Sequence, residues 1–175
     1  LRYVLDTAGI RSSFDAGVRV AESPSVFYRT RLRKNIKIGK WVFRPVEQIT
    51  WFQDEGHASD TDLDFDRNIN TSWNFRFVNN IFWNDQDYIV QFTNGPSFFQ
   101  QINEKIGLSY NFRINSSNDP DLAINNYVTS IGYRQLLYKK WFFWTVTPAL
   151  SFPRINNFKR TPSLAIRFDV ILGSI

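Results

Sequence analysis

What most constrains this chain is alternation of apolar and polar residues at every second position, repeated from one end to the other. Near the C-terminus Pro162, Leu164, Ile166, Phe168, Val170 and Leu172 alternate with Ser163, Ala165, Arg167, Asp169 and Ile171. Near the start Ile10, Phe14, Ala16, Val18 and Val20 alternate with Arg11, Ser13, Asp15, Gly17 and Arg19. In the middle Ile106, Leu108, Tyr110, Phe112 and Ile114 alternate with Gly107, Ser109, Asn111 and Arg113. A period of two is the signature of strands with one apolar and one polar face, and a helical period fits none of these windows.

The alternation predicts complete strands at 10–20, 25–34, 41–52, 60–70, 72–83, 87–102, 106–114, 122–135, 141–151 and 161–172. Breaks fall on turn-forming residues at 22–25, 84–87, 115–121 and 153–159. No linker or low-complexity segment interrupts the 175 residues, so one all-β domain is expected over 1–175. The run from Leu1 to Leu5 already alternates and meets a turn at Asp6 to Gly9, as a strand entered partway along would. Bacterial single-chain barrels have even strand numbers. The expectation is therefore that residues preceding Leu1 supply at least one more strand, in an N-terminally incomplete sequence that holds no Met.

Three features decide which medium meets the apolar face. The strands run to about ten to twelve residues, the length that crosses a bilayer at a tilt, where soluble strands average about five or six. Lys34, Lys37, Lys40, Lys105, Lys139, Lys140 and Lys159 all sit in or beside turns, whereas most of the 14 arginines sit inside strands on the polar face. Arginine, weakly hydrated and bidentate, suits an enclosed polar interior. Finally, aromatics, 17% of the chain, gather at strand ends: Trp41 and Trp51, Trp73 and Trp83, Tyr127 and Tyr133, Trp141 and Trp144. These resemble the two interfacial girdles of a transmembrane barrel. The mean hydropathy of −0.33 and the lack of a long apolar run exclude a helical membrane protein. The expected fold is thus an antiparallel transmembrane β-barrel of about 10–12 strands, apolar outside, with an Arg/Asp-rich lumen. The competing expectation is a soluble lipocalin-like barrel or a sandwich with an aromatic core.

The strand from Pro162 to Gly173 resembles the terminal strand of Gram-negative outer-membrane barrels, with apolar residues at every second position. Tyr138 to Pro148 (YKKWFFWTVTP) with Arg167 to Gly173 (RFDVILG) resembles a family of uncharacterised outer-membrane barrel proteins. So does Trp51 to Gly56 (WFQDEG) leading into Thr61 to Arg67 (TDLDFDR). That family carries no activity to transfer, and the usual terminal aromatic is replaced by Gly173-Ser174-Ile175. The resemblance implies a bacterial outer membrane, a periplasmic C-terminus, and contact with membrane lipid and lipopolysaccharide. Another outer-membrane or periplasmic protein is a further expected partner. Residues 53–59, 115–121 and 153–160 then become outer loops, and 35–40, 70–72, 103–105 and 136–140 periplasmic turns.

Candidate chemistry lies mainly on the polar face. Arg29, Arg31 and Arg33 line one strand, Arg44 and Gln48 the next, Asp62, Asp64 and Asp66 the next, and Asn74 and Arg76 the one after. Arg29, Arg31 and Arg44 are expected to pair with those aspartates, because enclosed unpaired charge is costly. Ten inward arginines against five inward aspartates leave about +5, as in a salt-bridged plug or a narrow anion-preferring pore. His57 and Ser59, two apart, faintly resemble the His-x-Ser-Asn element of outer-membrane phospholipase A, which implies base activation of the hydroxyl. Their place in a predicted loop, with nothing to orient the imidazole, makes a lone loop histidine the better reading. Asp60, Asp62, Asp64 and Asp66 lack the glycine and distal Glu of a calcium loop, so no metal is expected. No cofactor is expected either, with Cys absent and one His. Dispersed basic residues, despite a pI of about 9.6, argue against nucleic acid. Glu47 falls with Trp41, Phe43, Ile49 and Trp51 on the apolar face, unless a bulge near Pro45 turns it inward. The functional expectation is a non-enzymatic integral barrel with a structural or partner-binding role and a largely plugged lumen. The alternatives are the narrow pore and a lipid hydrolase using His57 and Ser59.

Overall fold

A computed structural model describes residues 2–7, 9–19, 25–119, 121–138 and 141–170. Its elements are β1 (Arg2–Thr7), β2 (Ile10–Arg19), β3 (Ser25–Lys34), β4 (Ile36–Ile38), β5 (Trp41–Phe52), β6 (Gly56–Asn68), β7 (Trp73–Asn84), β8 (Val90–Gln101), β9 (Ile106–Ser117), β10 (Ala123–Tyr138), β11 (Phe142–Pro153) and β12 (Thr161–Val170), with one 3-10 turn at Arg154–Asn156. They form one antiparallel sheet in chain order, β1-β2-β3-β5-β6-β7-β8-β9-β10-β11-β12, with β4 paired to the start of β5. Apart from β4, which β3 bypasses to pair with β5, successive strands hydrogen-bond to one another, and the order of the described strands contains no crossover. The expected strands are present with ends moved by a few residues. The short β4 was not anticipated, because Ile36, Lys37 and Ile38 read as part of a turn. The expected turn at 22–24, Lys139 and Lys140 of the terminal motif, Leu1, and everything after Val170 lie outside the described residues.

The sheet is not closed: β1 and β12 are its edges, and no pairing joins them among the described residues. Among the described residues no second layer covers it and no apolar residue is buried. The soluble sandwich would need the opposite, an aromatic core between two sheets. Register keeps the two faces distinct across the whole sheet. Directly opposed pairs share a face, and the runs Phe65↔Phe77↔Pro96, Phe75↔Phe98↔Tyr110↔Ile131 and Leu108↔Tyr133↔Val146↔Ile166 trace one apolar face from β6 to β12. Those residues are held by ring contacts such as Phe43 on Phe65 (4.8 Å) and Phe75 on Phe98 (4.9 Å), but their outer surfaces are open. Arg11, Arg29, Arg31, Arg44, Arg76, Arg113, Arg134 and Arg167 stand on the other face.

The ladder is disturbed where β8 meets β9. Gly95 and Pro96 interrupt the pairing, and Arg113 fills the gap, its Nη1 donating to the carbonyls of Gly95 (3.3 Å) and Pro96 (3.0 Å). Gly95 has φ +155°, and a Cβ there would collide with the backbone carbonyl of Phe112. Gly95→Ala is expected to destabilise the sheet by about 1–3 kcal/mol, through backbone strain. Chemical denaturation followed by tryptophan fluorescence measures it.

Candidate functional site

The polar face holds the chemistry. In β6, Asp60, Asp62, Asp64 and Asp66 project at every second position opposite Gln48, Val46, Arg44 and Val42 of β5. Asp66, 2% exposed, is the anchor. Arg76 of β7 donates from Nε to its Oδ1 (2.6 Å), and Arg44 Nε lies 2.5 Å from its Oδ2. Arg76 Nε is also 3.8 Å from Asp64. Asp62 and Asp60 are satisfied by Asn80, whose Nδ2 donates to both at 2.9 and 2.5 Å. Asp64 accepts the backbone N–H of Asn79 (3.3 Å), a side chain standing in for a ladder carbonyl. Of the expected pairs Arg44 with Asp66 is formed; Arg76 joins the same carboxylate, while Asp62 is held by Asn80 and meets no arginine among the described residues.

The β3 arginines do not join it. Register sets β5 between them and β6, and the facing β5 residues are Thr50, Gln48 and Val46. Arg29 pairs instead with Asp15 of β2, Nη2 to Oδ2 at 3.0 Å and Nε at 3.1 Å. Arg31 and Arg33 form no ion pair among the described residues; they face Ser13 and Arg11. Pairing follows the adjacent strand, which a list of inward residues does not specify.

At the hairpin end of β5 and β6, the polar face opens into a cavity of ≈ 430 Å³ lined by Arg19, Phe27, Arg29, Phe52, Phe82 and Asn84 among others. Arg19 stacks over the Phe52 ring at 4.8 Å and pairs with Asp54 (3.1 Å) and Glu55. Burial raises the Asp54 carboxyl, but its own backbone N–H, Ser25 and Arg19 outweigh that and hold it below the usual range. The inward phenylalanines were missed. Their even spacing with Arg29, Gln48 and Asn84 is the signal that would have found them.

His57 and Ser59 lie on strand β6, not in a loop, and on the apolar face: His57 opposes Trp51, and Ser59 lies between Ile49 and Trp83. His57 Nδ1 is 3.2 Å from Asp85 Oδ2, so the orienting group missing from the sequence reading exists. The Asp85 carboxyl is held below its ordinary value, first by the backbone N–H of His57 and then by its ring, against some desolvation. The hydroxyl of Ser59 is engaged elsewhere, donating to Glu47 Oε1 (2.7 Å), while Thr61 Oγ1 donates to Oε2 (2.5 Å). Glu47 thus stays on the apolar face. The register through Pro45↔Leu63 and Glu47↔Thr61 is continuous, and no bulge turns it inward.

The interface tryptophans fall at both ends of the apolar face. Trp41, Trp73, Trp141 and Trp144 mark one end, where Trp41 meets Phe75 (5.9 Å), Trp73 stacks on Tyr110 (6.0 Å), Trp141 meets Tyr138 (5.6 Å) and Trp144 meets Tyr133 (6.3 Å). Trp51, stacked on Tyr28 at 5.7 Å, and Trp83 mark the other. No family model, curated protein or solved structure matches the chain, so the resemblance to outer-membrane barrels has only the residues themselves behind it.

Asp66→Ala strips two guanidiniums of their counter-charge. The expected loss is about 2–3 kcal/mol, below the 3–5 of a fully buried pair because Arg44 and Arg76 are 42% and 41% exposed. Asp62→Asn, which keeps an acceptor for Asn80, should cost far less in the same denaturation measurement.

Proposed function

We propose that this chain is an integral outer-membrane β-barrel protein with a structural or partner-binding role, its apolar face against lipid and its charged face enclosed. One observation carries the reading: a continuous apolar face with nothing over it. Phe77, Phe98, Phe112, Ile131 and Leu150, on five successive strands, are each 38–49% exposed. Soluble monomers rarely expose contiguous apolar patches beyond a few hundred Å². A bilayer would cover this face without a second protein layer, and the tryptophans at both of its ends suit the two interfaces. Closure would join the β1 and β12 edges, directly or through further strands, because unpaired backbone groups are not tolerated in lipid. The hairpin ends bearing residues 53–55, 85–89 and 154–160 would face outward, with the C-terminus periplasmic. Membrane lipid and lipopolysaccharide are the contacts this placement entails, and a second outer-membrane or periplasmic protein is the partner class.

Phe112→Arg and Ile166→Arg, placed near the middle of β9 and β12 on the apolar face, should each reduce folding free energy in phospholipid vesicles by about 2–4 kcal/mol. Urea titration of vesicle-inserted protein reads this. Insertion of both variants with unchanged stability would remove the membrane reading.

The hydrolase alternative has one observation in its favour, the Asp85-oriented His57 on the same strand face as Ser59. Against it, the Ser59 hydroxyl is bonded to Glu47. Wild type and Ser59→Ala are expected to show the same negligible phospholipid hydrolysis. The variant together with Thr61→Val should instead lower stability by about 1–3 kcal/mol, because Glu47 loses both donors. Phospholipid turnover abolished by Ser59→Ala alone would reverse that assignment.

A further inference from the structure

Most inward arginines have a partner. Arg29 has Asp15, Arg44 and Arg76 share Asp66, Arg19 has Asp54 and Glu55, Arg167 has Asp169, Arg113 has two carbonyls, and Arg134 stacks on Phe143 at 4.2 Å. Arg11, Arg31 and Arg33 have none among the described residues, and these three stand together. Arg11 is directly opposite Arg33, and Arg31 is opposite Ser13, one pair further along the same face. They enclose a depression of ≈ 130 Å³ with Ser13, 6% exposed, at its floor. Like charges directly opposed across a strand pair are destabilising. The nearest carboxylate by register is Asp6 of β1, opposite Arg11, and it makes no ion pair with it. On the other flank Gln48 opposes Arg31 and Val46 opposes Arg33, so β5 adds an amide and no charge.

We propose that Arg11, Arg31 and Arg33 form a binding site for a phosphate group. Three guanidiniums and Asp6 sum to about +2, which matches a phosphomonoester of about −1.5 to −2 and exceeds what a carboxylate neutralises. The guanidinium fork pairs with phosphate oxygens two at a time, and three forks around one depression present donors to a tetrahedral anion from several sides. The depression holds about four waters' volume, which is the room a tetraoxyanion takes. Ser13 supplies a neutral donor at its floor, and Gln48 faces Arg31 from β5. The neighbouring hollow lined by Asp6, Gly9, Arg11, Arg33, Lys34 and Asn35 continues the site toward the hairpin end, where the remainder of a phosphorylated molecule would lie. The site belongs to the polar face whatever covers the apolar one, so it stands apart from the membrane assignment.

The test is isothermal titration of the purified full chain with inorganic phosphate, with sodium pyrophosphate, and with phosphatidylcholine micelles containing or lacking phosphatidic acid. Binding of the free anions identifies a soluble phosphate compound as the source, and binding confined to phosphatidic acid micelles identifies a lipid headgroup; both support the site. Arg31→Gln should weaken that binding at least tenfold, and Arg31→Lys by less. Arg167→Gln should leave it unchanged. Because Arg31→Gln relieves like-charge repulsion, the unliganded variant should melt no lower than wild type, while the added phosphate compound should raise the midpoint of wild type alone. Equal affinity in wild type and Arg31→Gln, or no binding in any arm, would overturn the site.

Discussion

The constraint on which everything else depends is that an all-hairpin sheet of this length satisfies its backbone internally but leaves one apolar face uncovered. Within the sheet each strand finds its hydrogen-bond partners in its sequence neighbours. That removes any need for helices or crossovers, and it fixes the faces, since one shift of register would exchange every side chain between them. The stabilisation that soluble domains take from a buried core has no place here: the described residues include no buried apolar side chain. The apolar burial must come from outside the sheet, and the edges of β1 and β12 carry the same requirement for backbone groups.

The polar face solves a different problem, which is how to hold many arginines close together. Asp66 does so by serving Arg44 and Arg76 at once, and Asn80 by bridging Asp60 and Asp62 without adding charge. Desolvated guanidiniums are further spread over carbonyls at Gly95 and over the Phe143 ring. Against this background Arg11, Arg31 and Arg33, without an ion pair among the described residues, are the exception on which the proposed phosphate site rests.

How much of this was legible in the sequence depends on the physics involved. Strand positions were, because period two is written in every window; Leu164 to Phe168 and Leu108 to Phe112 fall on the face their spacing implies. Strand starts were less so. β6 begins at Gly56 because β5 continues the ladder up to Phe52↔Gly56, a pairing between two strands that neither segment encodes alone. For the same reason His57 sits on a strand beside Asp85, whose approach depends on the β7 end. Parity sets Glu47 among apolar neighbours but leaves a bulge at Pro45 open; the continuous register decides that, and it also brings Ser59 and Thr61 to the carboxylate. Arg29 shows the limit most plainly: its parity was readable, its choice of Asp15 over Asp62 was not, because which strand lies next to β3 decides it.

Whether lipid covers the apolar face can be read by spin labelling along β12. The chain contains no cysteine, so single cysteines at positions 163 to 168 each carry one nitroxide. In phospholipid vesicles, collision with oxygen and with a polar nickel chelate reads lipid and water contact separately. With lipid on that face, oxygen accessibility is high and nickel accessibility low at positions 164, 166 and 168, and the reverse holds at 163, 165 and 167. Nickel accessibility at all six positions, or low accessibility to both reagents at 164, 166 and 168, would contradict lipid cover there.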